Sequence, residues 1–208
     1  MATAKVQPGR EVYQLMIRLK YEPTIWRRVV LEGDTSLYIL HHIIQIVMGW
    51  GNYHMHQFTA NRRCYGDPEG DLDFEDEGKA TLAGLLPRVR QKMDYEYDFG
   101  DSWLHDIRVE KLLPREEGTR YPVCVAGARH CPPVDCGGIG GYEMFLKAIS
   151  QRKHPDHEQM TEWIGGKFDP EAFNIEHVNL RLEHLRPRVL QVKTRAAKKG
   201  TTKRARKK

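Results

Sequence analysis

The chain has 208 residues, of which 40% are hydrophobic and 29% are charged, a composition typical of a soluble globular protein. It lacks the run of roughly 18 apolar residues that a membrane helix requires, and its first residues lack the apolar core of a signal peptide. Four cysteines are too few for a scaffold built on disulfides. These features exclude membrane-spanning and disulfide-built classes and favour a cytoplasmic location.

The net charge of +5 conceals two regions of opposite sign. Residues 186–208 contain 11 of the 33 basic residues and none of the 28 acidic ones, so residues 1–185 carry six more acids than bases. We predict a disordered lead-in at residues 1–10, one domain over residues 11–185 and a basic disordered tail over residues 186–208. Such a tail either contacts nucleic-acid phosphates or is a solvated extension. The predicted phosphate contacts are Lys198, Lys199, Lys203, Arg204, Arg206, Lys207 and Lys208.

Strand patterns dominate the first half of the chain. Apolar and polar residues alternate, or β-branched and aromatic residues are enriched, in Val12–Lys20, Ile25–Glu32, His54–Ala60, Arg62–Tyr65 and Trp103–Leu113. Asp67–Gly78 has acids spaced as in a calcium loop, but Leu72 stands where that loop requires glycine. We therefore interpret this segment as a solvated acidic loop.

Helical patterns follow mainly in the second half. The first helix is predicted over Ser36–Met48, because apolar residues recur at helical spacing and Gly49 stands in the C′ position. Three later helices are predicted at Tyr142–Ser150, Pro155–Ile164 and Pro170–Leu185, after a long loop at Pro114–Gly141. Early strands and late helices predict an α+β fold, in which a mixed or antiparallel sheet packs against the Ser36–Met48 helix and C-terminal helices.

The segment Tyr95–His105 concentrates polar and aromatic residues in one short hairpin or kinked strand. Gly100 marks a turn or bulge, so acids and a histidine should meet beside aromatic rings. His54 and His56 stand two residues apart in the predicted strand His54–Ala60, so their side chains share one face of that strand. The predicted ligand pocket consists of His54, His56, Asp98, Asp101, Trp103 and His105; a polar network that only stabilises the corner is the alternative.

A second candidate site is a zinc centre in the long loop. Thiolate and imidazole groups close together in sequence can supply several zinc ligands, and the candidates are Cys124, His130, Cys131 and Cys136. Their spacing differs from the C-x2-C pattern of common structural zinc sites, so buried reduced thiols are the alternative. The glycine-rich segment at residues 132–142 is interpreted as a rigid turn that leads into the next helix.

These motifs together resemble the plasmid pRiA4b ORF-3-like family. The resemblance covers about residues 10–185 and includes, in order, IWRRV, LHHIIQIVMGW, HMHQF, YEYDFGDSWLH, PVCVAGARHCPPVDCGGIGGY and WIGGKFDPEAFN. It implies an α+β fold with a mixed sheet. Members are also described as passenger proteins of transposable elements and carry a resolvase-like label, which implies a connection with mobile DNA but no particular activity.

Two main functions remain open at this point. The first is a binding module connected with mobile genetic elements, which recognises a protein or small ligand at the corner near His54 and contacts nucleic acid through its tail. The alternative is a metal-dependent hydrolase or nuclease that holds its ion and activates water through His54, His56, Asp98, Asp101 and His105. A purely structural subunit of a larger assembly is a third possibility.

Overall fold

The computed structural model describes residues 11–70 and 72–185, and eight strands within these residues form one sheet. The strands are β1 (Glu11–Leu19), β2 (Trp26–Glu32), β3 (His56–Ala60), β4 (Arg63–Gly66), β5 (Glu75–Asp76), β6 (Lys92–Tyr97), β7 (Trp103–Pro114) and β8 (Val123–Ala128). Their order across the sheet is β5-β4-β3-β6-β7-β1-β2-β8. Neighbouring strands pair antiparallel, except that β4 and β5 are parallel.

The helices of the described residues are α1 (Leu37–Met48), α2 (Leu82–Leu85), α3 (Gly138–Ser150) and α4 (His157–Trp163), followed by α5 at residues 175–185. The predicted α+β class, with a mixed sheet, one long early helix and C-terminal helices, is confirmed. Within the described ranges, no helix has the length and apolar character needed to cross a bilayer. The predictions for residues 1–10 and 186–208 lie outside the described residues.

Strand β1 has one apolar and one polar face, as its alternation predicts. Leu15 and Ile17 are fully buried and belong to the same core cluster as the buried residues of α1. The intervening Gln14 points to the other face, where its side chain donates to Glu110 at 2.7 Å. The sheet therefore buries one face beneath α1 and leaves polar pairs on the other.

Helix α1 begins and ends where the capping residues predict. The Ser36 side chain accepts a hydrogen bond from the backbone of Ile39 at 3.4 Å, and Gly49 adopts a left-handed conformation with φ 94°. Nine of the twelve residues in the helix are buried. Such a wide apolar surface explains why the helix lies flat on the sheet.

The prediction of one long loop at residues 114–141 is wrong in two places. This segment contains strand β8 and the first turn of helix α3. Both segments are rich in small residues, which led to their prediction as loop. In the structure, close packing is the reason that these residues are small. A Cβ at Gly127, in β8, would lie 2.6 Å from the Phe173 ring. A Cβ at Gly141, in α3, would lie 1.8 Å from the carbonyl oxygen of Cys136. These glycines therefore permit close contact inside regular elements.

Arg27 on β2 joins the sheet to the segments around it. Its guanidinium is buried and donates to the carbonyls of Trp26 and Ala128 at 2.8 and 2.6 Å and of Arg129 at 2.8 Å. Its Nε donates to the carbonyl of Val47, near the end of α1, at 2.7 Å. The guanidinium carbon also lies over the Phe173 ring, 4.3 Å from its centre.

We predict that Arg27→Met lowers the free energy of unfolding by about 3 kcal/mol or more, because several buried carbonyl groups would lose their donor. The matched control is Arg28→Met on the opposite face of the same strand. Arg28 pairs with Glu110 at 2.6 Å in a partly exposed position, so its loss should cost about 1 kcal/mol or less. Urea unfolding of both variants measures the difference, and equal losses would contradict the role assigned to Arg27.

Candidate functional site

The turn between β6 and β7 joins acidic groups to the aromatic rings of the core. Tyr97 and Trp103, at the two ends of this turn, are fully buried, and Tyr97 stacks on Trp50 with ring centroids 5.0 Å apart. Asp98 opens the turn in a left-handed conformation with φ 61°, and its Oδ1 accepts the backbone N–H of Gly100 at 3.0 Å. The turn therefore directs Asp98 out of the strand while the rings stay in the core.

Three side chains from separate segments converge beside this turn. His54 precedes β3, Asp98 follows β6, and Asp135 precedes α3. The Nε2 of His54 lies 3.6 Å from Oδ2 of Asp98 and 3.2 Å from Oδ1 of Asp135. In the described part of the chain, this is the one group of three or more residues whose candidate metal-ligand atoms all lie within 4.8 Å of one another.

Hydrogen bonds hold the three segments in place. The Tyr97 hydroxyl accepts the backbone N–H groups of Tyr53 and His54 at 3.0 and 3.4 Å. The carboxylate of Asp101 accepts the backbone N–H of Gly137 at 3.3 Å. The backbone N–H of Asp98 donates to the carbonyl of Met55 at 2.9 Å. The convergence is therefore fixed by hydrogen bonds from backbone N–H groups to side-chain and backbone oxygens of the neighbouring segments.

His56 belongs to a different polar group. Its Nε2 lies 2.8 Å from Oε2 of Glu77, whose side chain is almost fully buried. The His56 ring also stacks on His41 of α1, with centroids 3.4 Å apart and an interplanar angle of 8°. Glu77 is held in this position because its backbone N–H donates to the carbonyl of Gly66, at the end of β4, at 3.2 Å.

A chain of hydrogen bonds determines the proton position on His41. Gln45 Nε2 donates to the Tyr95 hydroxyl at 3.1 Å, which lies 2.8 Å from Nδ1 of His41. The other ring nitrogen lies 2.7 Å from Oδ1 of Asn52. Because Asn52 Oδ1 can only accept, Nε2 carries the proton and Nδ1 accepts from Tyr95. Burial, with smaller contributions from His56 and His42, lowers the pKa of His41 to about 2, so the ring is neutral at physiological pH.

A cavity of about 840 Å³ opens above the His41–His56 stack. Its wall consists of the first turns of α1, the segment before β3 and the acidic segment that includes β5. His41, His54, His56 and Glu77 are among the residues that line it. A volume between about 300 and 1,000 Å³ is typical of small-molecule sites, so this cavity has the size of a ligand pocket.

The remaining members of the predicted pocket do not join the His54 group. His105 is fully buried, its Nδ1 hydrogen-bonds to the Trp103 carbonyl at 2.8 Å, and its ring packs edge-on to Trp50. Trp103 is also fully buried, and Asp101 holds the Gly137 backbone. The five residues predicted to hold a hydrolase metal therefore do not meet at one point, because the sheet register separates them.

The structure also does not bring the four predicted zinc ligands together as one group of metal-ligand atoms. Cys124 lies in β8 and its thiol donates to the carbonyl of Ala126 at 3.4 Å, while His130 Nδ1 hydrogen-bonds to the Cys131 carbonyl at 2.7 Å. Burial raises the pKa of Cys131 and of Cys136 to about 12. These cysteines are therefore protonated thiols packed against the core. The seven basic tail residues lie outside the described residues.

Three residues of the site were missed by sequence reasoning. Glu77 is the last of several acids in a segment interpreted as solvated, and His41 lies on the buried face of the mostly apolar helix α1. Asp135 lies in the segment interpreted as a rigid turn. No local pattern separates Glu77 from its acidic neighbours, but a histidine on the buried face of α1 is a signal that a polar partner is needed there.

The fold and these two polar groups define an α+β protein with a histidine-lined cavity beside a mixed sheet. The family model described as plasmid pRiA4b ORF-3-like protein matches residues 11–177, and the chain belongs to this family. The uncharacterized protein y4hQ of Sinorhizobium fredii is 33% identical over 179 residues, or 84% of this chain and 92% of the relative.

A solved structure shows the same architecture. The crystal structure of MM3350, a protein of unknown function from Methanosarcina mazei Go1, has a TM-score of 0.73 and 39% sequence identity to this chain. The match covers 80% of this chain and 96% of MM3350. The family predicted from the motifs is therefore confirmed, while the function has to be inferred from the site.

The buried histidines predict a loss of stability in acid. Burial lowers the pKa of His105 to about 4, below the value of about 6.5 for an unfolded chain. The unfolded state therefore binds more protons, so His105 contributes its full stabilisation above about pH 6.5 and loses it as the pH falls toward 4. His41 acts in the same direction. Its pKa in the folded protein is about 2, so its contribution to stability continues to decrease as the pH falls toward that value.

Urea unfolding between pH 7 and pH 4.5 tests this prediction. The slope of unfolding free energy against pH should be smaller in His105→Gln than in the wild type. The decrease should reach up to about 1.4 kcal/mol per pH unit, which corresponds to the uptake of one proton on unfolding. His184→Gln, at an exposed position in α5, serves as the control and should retain the wild-type dependence. Identical pH dependence in all three proteins would contradict the assignment.

Proposed function

We propose that this protein is a binding module whose ligands are small organic cations and whose binding site is the cavity above His41 and His56. The observation that carries the proposal is Glu77, a carboxylate buried in the wall of that cavity. Among the described residues, its one side-chain hydrogen-bond partner is His56. A carboxylate can accept several hydrogen bonds, so Glu77 retains capacity for a ligand ammonium or guanidinium group.

The charges around the cavity favour the same class of ligand. Four carboxylates line it, and the lysine among its lining residues already pairs with one of them. The four acids are Asp34, Asp67, Asp76 and Glu77. A concave wall with an excess of one charge concentrates the opposite charge, so a cation is attracted and an anion is repelled.

The rest of the wall suits an apolar or aromatic body attached to that cation. Tyr53 and Met55 stand exposed at the cavity, and Tyr38 and Phe74 add aromatic surface. A cation near an aromatic face gains about 0.5–1 kcal/mol at exposed sites and more when it is desolvated. The neutral His41 ring, which cannot become protonated in the working pH range, adds no repulsion to a cationic ligand.

We predict that alkyl and aryl amines bind the protein more tightly than carboxylic acids of matched size in isothermal titration calorimetry. Glu77→Gln should weaken amine binding by roughly 10-fold or more, because a hydrogen bond to a charged group contributes about 1.5–3 kcal/mol. Glu96→Gln is the matched control. Glu96 lies outside the cavity and accepts from Gln57 and Ser102 at 2.7 and 2.8 Å, so its removal should leave the affinity unchanged.

Two results would contradict this function. Equal affinity for amines and carboxylic acids would show that the charge of the wall does not select the ligand. Equal loss of affinity in Glu77→Gln and Glu96→Gln would show that the effect is not local to the cavity. A thermal melt of each variant, run alongside the titration, identifies any variant that has unfolded.

We also infer that the basic tail contacts nucleic acid, as expected of a protein connected with mobile DNA. The charge distribution supports this function. All the charged residues in 186–208 are Lys or Arg, while the rest of the chain has a net negative charge. Clustered cations bind phosphates and release counterions. An acidic body cannot supply this attraction, so the tail would supply it.

Filter binding of duplex DNA to the full chain, and to a chain ending at Leu185, tests the tail. If all seven predicted residues reach phosphates, the affinity of the full chain should fall with salt at a logarithmic slope of about −6. The shortened chain should lose this salt-dependent binding. A variant with the seven residues replaced by Gln separates the effect of charge from that of length, and unchanged affinity in the shortened chain would contradict the inference.

A further inference from the structure

The second polar group, His54, Asp98 and Asp135, has features that the amine-binding cavity does not explain. Nε2 of His54 is buried and makes no hydrogen bond, although a carboxylate oxygen lies on either side of it. A buried ring nitrogen without a partner is rare in proteins, because it loses its contacts with water without replacement. Something other than the described protein groups is needed to satisfy it.

Asp98 directs a carboxylate oxygen at the same point. Its side chain is only 9% exposed, and its Oδ1 accepts the backbone N–H groups of Gly100 and Asp101 at 3.0 and 3.3 Å. Its Oδ2 faces His54, with Nε2 of that ring 3.6 Å away. A positive ion between these two atoms would contact both of them.

The local charge is not balanced by the protein. In the described residues, neither Asp98 nor Asp135 forms an ion pair with Lys or Arg, and His54 is the partner of both. Even a protonated imidazole would leave one negative charge uncompensated.

The separations between His54 Nε2 and the two carboxylate oxygens are close to those of ligands around one small cation. Bonds of about 2.0–2.2 Å to nitrogen and oxygen ligands place neighbouring ligand atoms about 3.0–3.5 Å apart. The observed distances from His54 Nε2 are 3.2 Å to Asp135 Oδ1 and 3.6 Å to Asp98 Oδ2. All three atoms lie within 4.8 Å of one another, so side-chain adjustments can bring them onto one ion.

The backbone holds the ligand-bearing segments in this arrangement independently of any ion. The segment before α3 packs directly on the β6–β7 turn, since a Cβ at Gly138 would lie 2.7 Å from the carbonyl oxygen of Asp101. The Asp101 carboxylate accepts from Gly137 across the same contact. Ligands that the fold already positions lose little conformational freedom on binding an ion.

We propose that His54, Asp98 and Asp135 form a binding site for a divalent first-row transition-metal ion such as Zn²⁺ or Mn²⁺. One imidazole and two carboxylates form a mixed nitrogen and oxygen set, which suits these ions better than the all-oxygen sets that hold Ca²⁺ or Mg²⁺. Three protein ligands leave coordination positions open. Asp135, with 68% of its side chain exposed, marks the side from which water reaches them.

The site lies between two cavities, which gives it access on two sides. His54 lines the amine-binding cavity of about 840 Å³, and Asp135 lines a second cavity of about 460 Å³ beside α3 and α4. The metal site does not depend on the proposed amine function, because Glu77 and its histidine partner contribute none of the three ligand atoms.

Calorimetric titration of ZnCl₂ or MnCl₂ into chelator-treated full-length protein tests the proposal, with elemental analysis of the protein as purified. We expect one ion per chain. Asp135→Asn is the decisive variant, because the side chain is exposed and Asn tolerates the left-handed conformation at φ 60°. It should weaken binding at least 10-fold, and His54→Gln should weaken it at least 100-fold.

Three controls separate this site from the other candidates. Asp94→Asn removes a carboxylate that pairs with Lys20 on the sheet at 2.8 Å and should leave metal affinity unchanged. Cys131→Ser should also leave it unchanged; loss of metal in that variant alone would place the ion at the thiols and overturn the proposal. Failure of wild type to bind either ion, or unchanged affinity in Asp135→Asn, would likewise overturn it. Glu77→Gln should retain its metal affinity while its amine binding weakens.

Discussion

The buried guanidinium of Arg27 is the interaction on which the arrangement of this protein depends. An arginine remains charged in proteins, so its burial requires acceptors on every side, and here backbone carbonyls supply them. One of these, Val47, belongs to the last turn of α1, where carbonyl groups lack helical partners and carry the negative end of the helix dipole. Arg27 therefore fixes the end of α1 against the sheet. It also fixes residues 128–129, from which the chain continues to Cys131 and Asp135.

Differences in environment give the histidines of this protein different chemical roles. His41 is held neutral by burial and by a hydrogen-bond chain that fixes its proton. His56, stacked on it, contacts the buried carboxylate of Glu77, and His54 faces two carboxylates without a hydrogen bond. The cavity and the three-residue group are thus adjacent and share His54, but Glu77 belongs only to the first and Asp98 and Asp135 only to the second.

Much of the fold could be predicted because its signals are local. Strand β1 was predicted from its alternation, and helix α1 from its helical spacing and from Ser36 and Gly49 at its ends. The predicted bounds of both elements agree with the structure to within a residue or two. The predicted loop failed at β8 and at the start of α3 because Gly127 and Gly141 are small for packing reasons. A glycine that admits the Phe173 ring and a glycine that forms a flexible turn look the same in a sequence.

The sequence by itself determined the fold class, the family and the presence of polar groups beside the Tyr95–His105 aromatic residues. Each of these depends on residues close together along the chain or on the order of the motifs. Only the tertiary structure decided which polar groups meet. Sheet register sends His105 into the core and His56 toward Glu77, and backbone contacts bring Asp135 to His54 from a segment about 80 residues away along the chain. Pairing across such a separation depends on the packing of intervening elements, and no local periodicity records it.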